Sequence, residues 1–128
     1  MSKKLVLFDI DGTILYLDSG ISRKIFRDVL GNMFRDFKYL DVDFDYSGLT
    51  DLNILFKIAE LNNISFDLFQ KAIDSIWENL YVEFQANCNQ YTIHLIEGAK
   101  EFIQSLSRCE DVVLGLLTGN FRKCAYLK

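Results

Sequence analysis

Two carboxylates one residue apart follow a short apolar run near the start of the chain. Residues 4–8 read Lys-Leu-Val-Leu-Phe, and Asp9, Asp11, Gly12 and Thr13 follow this run. An apolar run of this length that ends in turn residues predicts a β-strand buried on both faces of a parallel sheet. Ligands bind at the carboxyl ends of the strands in such sheets. We therefore expect chemistry at Asp9 and Asp11.

These two aspartates have the spacing and charge of a cation site. Successive side chains of a strand alternate, so Asp9 and Asp11 are predicted to face one side while Ile10 faces the other. Close carboxylates repel each other, and oxygen ligands of this kind suit Mg²⁺, which is often held jointly with a substrate phosphate. One such carboxylate can attack phosphorus while its neighbour transfers protons. Gly12 permits a tight turn and a close backbone approach to a ligand. The alternative is a plain polar turn.

A second apolar run has a similar polar end. Residues 112–117 are Val-Val-Leu-Gly-Leu-Leu, and Thr118, Gly119 and Asn120 follow them. The pattern predicts a second buried strand. A hydroxyl and backbone N–H groups at such a strand end form an anion site. An ordinary turn between a strand and a helix is the alternative.

The two motifs, in this order, resemble those of the haloacid dehalogenase-like (HAD) superfamily, and Thr-Gly-Asn is common in its phosphoglycolate phosphatase-like branch. The resemblance implies that Asp9 is the phosphoryl-accepting nucleophile. It implies that Asp11 is the acid/base, and that Asp9 and Asp11 hold Mg²⁺, the latter through its backbone carbonyl. The Thr118 hydroxyl would bind the transferring phosphoryl group. The predicted phosphate-binding residues are Gly12, Thr118, Gly119 and Asn120.

Three further residues are candidates through the same resemblance. Thr50 or Asp51 is predicted to cap a helix over residues 52–61, and capping alone explains both residue types. In phosphoglycolate phosphatase-like members a Gly-x-Thr-Asp segment faces the active site, which implies that Thr50 and Asp51 lie on the substrate side. Lys128 resembles the lysine of an Ala-x-x-Lys-Leu run in some relatives, with a plain solvated lysine as the alternative.

Between the two motifs, apolar residues recur at the spacing of helices. Apolar spacing predicts helices over residues 21–34, 52–61 and 66–86, and another helix after Gly98. Ser19 or Ser22, and Ser65, are predicted N-caps. An acidic, aromatic stretch at residues 37–46 fits a calcium loop poorly and is predicted to be an irregular connector.

The predicted fold class is α/β, with a HAD-like (Rossmannoid) parallel sheet core and an inserted all-helical cap. Residues 1–14 and 92–128 would form the core, and residues 15–91 the cap. Two strands are few for a doubly wound sheet, which usually has five or six. The family's third and fourth motifs, a lysine and an acidic pair after another strand, are also not found beyond Thr118, apart from Lys128. The core is therefore expected to be incomplete and the chain to be the N-terminal portion of a longer protein.

Composition excludes several classes of function. The 128 residues carry a net charge of −4 and no basic block, which argues against nucleic acid as a partner. No apolar run approaches the ~20 residues of a membrane span. Three scattered cysteines (Cys88, Cys109 and Cys124) predict free thiols in a reducing cytoplasm. His94 has no His or Cys partner at ligand spacing, so no zinc site is expected.

The sequence therefore predicts a Mg²⁺-dependent phosphomonoester hydrolase that acts on a small phosphorylated metabolite through an aspartyl-phosphate. The first alternative is a catalytically incomplete fragment, a phosphate- or Mg²⁺-binding or interaction remnant. A dehalogenase is disfavoured because dehalogenases of this superfamily lack an aspartate at the position of Asp11. A receiver-like signalling domain is disfavoured by the helical insert after the first strand. The oligomeric state and the ester are not predicted.

Overall fold

The computed structural model describes residues 2–18, 20–38, 44–90 and 92–128, and within these ranges the chain is mixed α/β. The predicted α/β class is thus confirmed at this coarse level. The described strands are β1 (Lys4–Phe8), β2 (Leu15–Leu17), β3 (Ile93–Leu95) and β4 (Val112–Leu116). The described helices are α1 (Ile21–Met33), α2 (Asp51–Leu61), α3 (Phe66–Asn87), α4 (Ala99–Leu106) and α5 (Arg122–Ala125).

The chain divides into two compact units. The sheet unit comprises Met1–Asp18 and Tyr91–Thr118, and the helical unit comprises Ser19–Gln90 and Gly119–Lys128. Residues 15–18 belong to the sheet unit because β2 pairs with β3. Residues 119–128 belong to the helical unit, where α5 contacts α3. The units therefore begin and end at positions different from the predicted boundaries at residues 14/15 and 91/92.

Strands β1 and β4 form a two-stranded parallel sheet, as predicted for both apolar runs. The register runs from Lys4 opposite Val112 to Phe8 opposite Leu116. The N–H of Leu117 then donates to the carbonyl of Phe8 at 2.8 Å, which extends the ladder by one residue. Because the strands are parallel and in this register, they end side by side.

The expectation that these strands are buried on both faces is wrong. Leu5, Leu7 and Val113 are 63%, 47% and 42% exposed, and Leu5 is paired with Val113. On the other face Phe8 meets Phe102 of α4 edge to face, with ring centroids 6.2 Å apart. An apolar run predicts a strand that is able to be covered on both sides, but it does not show whether a second layer is present.

A short antiparallel ribbon was not predicted. Strand β2 pairs with β3, with Leu15 opposite Leu95 and Leu17 opposite Ile93. Each strand has three residues. In a strand of three residues, an alternation of apolar and polar side chains is too short to recognise. Residues 15–17 were therefore predicted to lie in the helical cap.

The three long helices agree with the predicted ones to within one residue at every end. Their buried residues recur at spacings of three and four, as an amphipathic helix requires. The buried residues are Ile25, Phe26, Val29 and Leu30 in α1; Ile54, Leu55, Ile58 and Ala59 in α2; and Phe69, Ile76, Leu80 and Phe84 in α3. No helix of the described ranges is both long and apolar enough to cross a membrane.

The caps of α2 and α3 confirm two predictions. Thr50 accepts a hydrogen bond from the N–H of Asn53, and Ser65 accepts one from the N–H of Leu68, both at 3.3 Å. The prediction for α1 fails for Ser22, because Gly20 is the N-cap and Ser22 lies within the helix. The other predicted cap, Ser19, and part of the predicted connector at residues 37–46 lie outside the described residues.

Candidate active site

Asp9 and Asp11 follow β1 directly and expose their side chains to solvent. Ile10 between them is 4% exposed, which is the alternation predicted for the end of a strand. The N–H of Ile10 donates to Oδ1 of Asp9 at 2.8 Å, so the first carboxylate is held by its own backbone turn. Two exposed acidic residues thus flank a buried Ile10 just after the end of β1.

The segment after Asp11 is a tight turn centred on one carbonyl group. The carbonyl of Ile10 accepts hydrogen bonds from the N–H groups of Thr13, Ile14 and Leu15, at 3.2, 2.9 and 3.2 Å. Gly12 donates in turn to the carbonyl of Leu15 at 2.8 Å and has φ of 79°. This left-handed conformation is one that glycine adopts without steric cost. The tight turn predicted at Gly12 is present, and the approach of a ligand to its backbone stays a prediction.

Thr118 follows β4 and is half-buried. The hydrogen bond between Leu117 and Phe8 places the end of β4 beside the end of β1. Asp9 is the residue after Phe8, and Thr118 is the residue after Leu117. The sheet therefore brings Asp9 and Thr118 to the same edge, within a single compact unit.

The carboxylates of Asp9 and Asp11 are oxygen donors of the kind that Mg²⁺ takes in proteins. Within the described ranges no group of three or more His, Cys, Asp or Glu side chains is positioned to hold a metal ion. Asp9 and Asp11 therefore supply at most two carboxylates. Mg²⁺ is commonly bound through one or two carboxylates together with waters and substrate phosphates. Oxygen-only donors also favour Mg²⁺ over zinc or copper.

Gly119 belongs to the helical unit, where it contacts the other predicted substrate-side residues. The N–H of Asp51 donates to the carbonyl of Gly119 at 2.9 Å. Oδ2 of Asp51 accepts from the N–H of Phe121 at 2.7 Å. A Cβ atom at Gly119 would lie 3.0 Å from Cα of Thr50. Thr50 and Asp51, besides starting α2, therefore hold the segment at residues 119–121.

Lys128 is half-buried and donates to Oδ1 of Asn120 at 2.6 Å. Lys128 therefore has a side-chain partner within the helical unit. The ring of Phe121 stacks on Trp77 of α3, with centroids 4.5 Å apart and planes 11° from parallel. The neighbouring Cys124 is 2% exposed, and burial raises the pKa of its thiol to about 12. This segment is thus attached to α3 by packing. A phosphate-binding role for Gly119, Asn120 and Lys128 stays a prediction.

One polar cluster of the sheet unit was missed. Nε2 of His94 lies 2.8 Å from Oδ1 of Asp18, and the N–H of Thr92 donates to Oδ2 of the same carboxylate at 3.0 Å. The Tyr16 ring stacks on the imidazole, with centroids 4.7 Å apart. The hydrogen bond with His94 is the main cause that lowers the pKa of Asp18. Asp18 and His94 are 76 positions apart, so no local spacing could have revealed the pair.

Comparison with known proteins assigns this chain to no family. No protein-family model matches the chain, and no curated protein sequence matches it significantly.

Proposed function

We propose that this chain is a HAD-like, Mg²⁺-dependent phosphomonoester hydrolase that acts on a small phosphorylated metabolite through an aspartyl-phosphate intermediate. One observation supports the proposal most. The hydrogen bond between Leu117 and Phe8 joins the ends of two parallel strands, one followed by Asp9 and Asp11 and the other by Thr118. A nucleophilic carboxylate, a second carboxylate and a hydroxyl at one sheet edge are the groups that phosphoryl transfer to an aspartate requires.

In the first half of the proposed reaction, an oxygen of Asp9 attacks phosphorus opposite the ester oxygen. The bond between Asp9 and phosphorus forms as the ester bond breaks, and the bonding electrons leave with the alkoxide. Asp11, protonated at this stage, gives its proton to that alkoxide, so a neutral alcohol departs. The Thr118 hydroxyl donates a hydrogen bond to a phosphoryl oxygen and stabilises the charge that develops there.

In the second half, water attacks the phosphorus of the aspartyl-phosphate. Asp11, now ionised, takes a proton from this water, and the carboxylate of Asp9 leaves with the electrons of its bond to phosphorus. Inorganic phosphate is released, and both aspartates return to their initial states. The carboxylate of Asp9 and the backbone carbonyl of Asp11 would hold Mg²⁺, which would supply positive charge beside the phosphoryl oxygens when it is bound.

The experiment is to measure phosphate release from a panel of small phosphate monoesters, with Mg²⁺ and with chelator. The native chain is compared with Asp9→Asn, Asp11→Asn and the control Asp74→Asn, which alters an exposed aspartate of α3. We expect Mg²⁺-dependent release by the native chain and the control, and release at the buffer background by Asp9→Asn. Activity in Asp9→Asn equal to that of the native chain would refute the proposed nucleophile.

A second candidate is a module that binds phosphate or Mg²⁺ without turnover. One observation favours it: within the described residues the parallel sheet consists of β1 and β4, and the carboxylates that follow these two strands are those of Asp9 and Asp11. Titration with inorganic phosphate and Mg²⁺, followed by calorimetry, separates the candidates. Binding that depends on Asp9, without phosphate release from any ester of the panel, would select this second candidate.

A further inference from the structure

The Asp18 carboxylate joins the two strands of the ribbon at the end where the helical insert begins. Strands β2 and β3 pair through Leu17 and Ile93, and Asp18 and Thr92 are the next residues on either side. Oδ2 of Asp18 accepts from the backbone N–H of Thr92, and Oδ1 contacts Nε2 of His94. One side chain therefore closes this end of the ribbon with two contacts.

This contact joins the residues at which the chain leaves and re-enters the sheet unit. The chain leaves the sheet unit after Asp18 and enters it again just before Thr92. Residues 19–91 thus lie in the sequence between two residues that are directly hydrogen-bonded. Any change in the state of the Asp18 side chain acts at the base of the insertion.

We propose that Asp18 and His94 form a pH-dependent clamp that closes the base of the helical insertion. Histidine is the side chain whose charge ordinarily changes between pH 5 and 8. A protonated imidazole donates a charge-assisted hydrogen bond to Oδ1, which is shorter and stronger than a neutral one. A neutral imidazole keeps a weaker bond when its proton is on Nε2, and presents a lone pair to the carboxylate when its proton is on Nδ1. The clamp is therefore tight on the acidic side of neutrality and loosens as pH rises.

The surroundings of the imidazole favour this response. Tyr16 and Asp18 face it from β2 and from the residue after β2, and its neighbours along β3 are the non-titratable Ile93 and Leu95. The Tyr16 ring is nearly parallel to the imidazole, at 13°, and restricts its tilt. The side chains of His94 and Asp18 are 39% and 45% exposed, so protons exchange with solvent without opening the fold.

At low pH, protonation of the Asp18 carboxylate also weakens the clamp. Its pKa is lowered from the ordinary 3.8, first by the hydrogen bond with His94 and next by that with Thr92. Because the pKa of Asp18 is lower in the folded chain than its ordinary value of 3.8, the two hydrogen bonds stabilise the fold fully above pH 3.8. This stabilisation is lost as the pH falls through the lower pKa that Asp18 has in the folded chain. The Asp18 carboxylate is thus ionised, and able to hold both partners, throughout the range in which a histidine ordinarily changes its charge.

The test follows the backbone amide of Thr92 by NMR in the full chain from pH 5 to pH 8. We expect its amide resonance to shift with a single titration. We also expect its exchange with solvent, corrected for intrinsic chemistry, to accelerate on the order of two- to fivefold at the higher pH, as an exposed ion pair allows. Asp18→Asn keeps an oxygen acceptor for Thr92 but removes the charge, and His94→Gln keeps a donor that does not titrate. Both responses should disappear in each variant.

Two outcomes would overturn the proposal. One is a Thr92 amide that does not respond to pH in the native chain. The other is a response of native size in His94→Gln, which would assign the titration to another group. If Asp18→Asn disrupts the ribbon, as judged by loss of the β2–β3 amide resonances, His94→Gln still decides the outcome. The measurement needs no substrate, so its result is independent of the proposed phosphatase activity.

Discussion

The carbonyl of Phe8 accepts a hydrogen bond from the N–H of Leu117 at 2.8 Å, and each of these residues directly precedes a candidate site residue. Asp9 follows Phe8, and Thr118 follows Leu117. These two site residues are about a hundred residues apart in the sequence, and this single backbone contact brings them to one sheet edge.

Thr118 is predicted to act through its hydroxyl group. Thr118→Val keeps the shape of the side chain and removes the donor, so phosphate release should fall by about 10²- to 10³-fold, as for other donors to developing charge. Thr118→Ser retains the hydroxyl and should keep most of the activity. Steady-state kinetics of the three chains checks this, and a native rate in Thr118→Val would show that the hydroxyl is not used.

Leu80 is predicted to be a main stabilising residue of the helical unit. Its side chain is fully buried in α3, and Leu80→Ala should lower the free energy of unfolding by about 2–5 kcal/mol through lost burial and a residual cavity. Val82 lies on the same helix and is 55% exposed, so Val82→Ala should change stability by about 0.5 kcal/mol or less. Urea unfolding followed by circular dichroism measures both. Equal effects of the two variants would contradict the packing described.

Gly119 is predicted to be intolerant of a side chain. A Cβ there would lie 3.0 Å from Cα of Thr50 and 3.3 Å from the carbonyl oxygen of Leu49, and backbone atoms do not move aside easily. Gly119→Ala should therefore destabilise the chain by about 1–3 kcal/mol, the usual cost of overpacking. The control is Glu97→Ala at an exposed position. A Gly119→Ala chain as stable as the native one would mean that the contact with Thr50 is loose.

Cys124 is predicted to be unreactive in the folded chain. The thiolate is the reactive form, and burial raises the pKa of this thiol to about 12. Iodoacetamide at pH 8 should modify the exposed Cys109 and leave Cys124 intact until denaturant is added, as read by peptide mass spectrometry. Rapid modification of Cys124 without denaturant would contradict its burial.

The raised pKa of the Cys124 thiol predicts that the stability of the chain depends on pH. The folded chain keeps a proton on Cys124 that the unfolded chain releases near pH 9, the ordinary value. The unfolded state is therefore favoured progressively above pH 9, and stability should fall there as pH rises. Cys124→Ala removes this proton, so its unfolding midpoint should decline less steeply between pH 9 and 10.5 than that of the native chain.

Much of the helical unit could be predicted because its signals are local. The spacing of apolar residues in α1, α2 and α3 gave the helices, and the side chains of Thr50 and Ser65 gave two of the N-caps. The strands β1 and β4 were predicted because each is a continuous apolar run. Their parallel pairing followed from the expectation that both strands belong to one sheet.

The features that were missed depend on contacts between distant residues. Strands β2 and β3 are too short to show the alternation of apolar and polar residues that is typical of a strand. The pair of Asp18 and His94 joins residues from opposite ends of the insertion. The exposure of Leu5 and Leu7 depends on what lies over the sheet, which apolar character does not reveal. The attachment of Gly119 to Asp51 likewise arises from folding, because capping alone explained Asp51 in the sequence.

The covalent state of Asp9 during turnover tests the proposed function most directly. The native chain and Asp9→Asn are mixed with Mg²⁺ and a small phosphate monoester that gives release, quenched in acid within one turnover, and digested for mass spectrometry. The account predicts a single phosphoryl group on the peptide that contains Asp9, and no modification of that peptide in Asp9→Asn. Phosphate release by the native chain with no phosphorylated Asp9, or with the phosphoryl group on another residue, would contradict it.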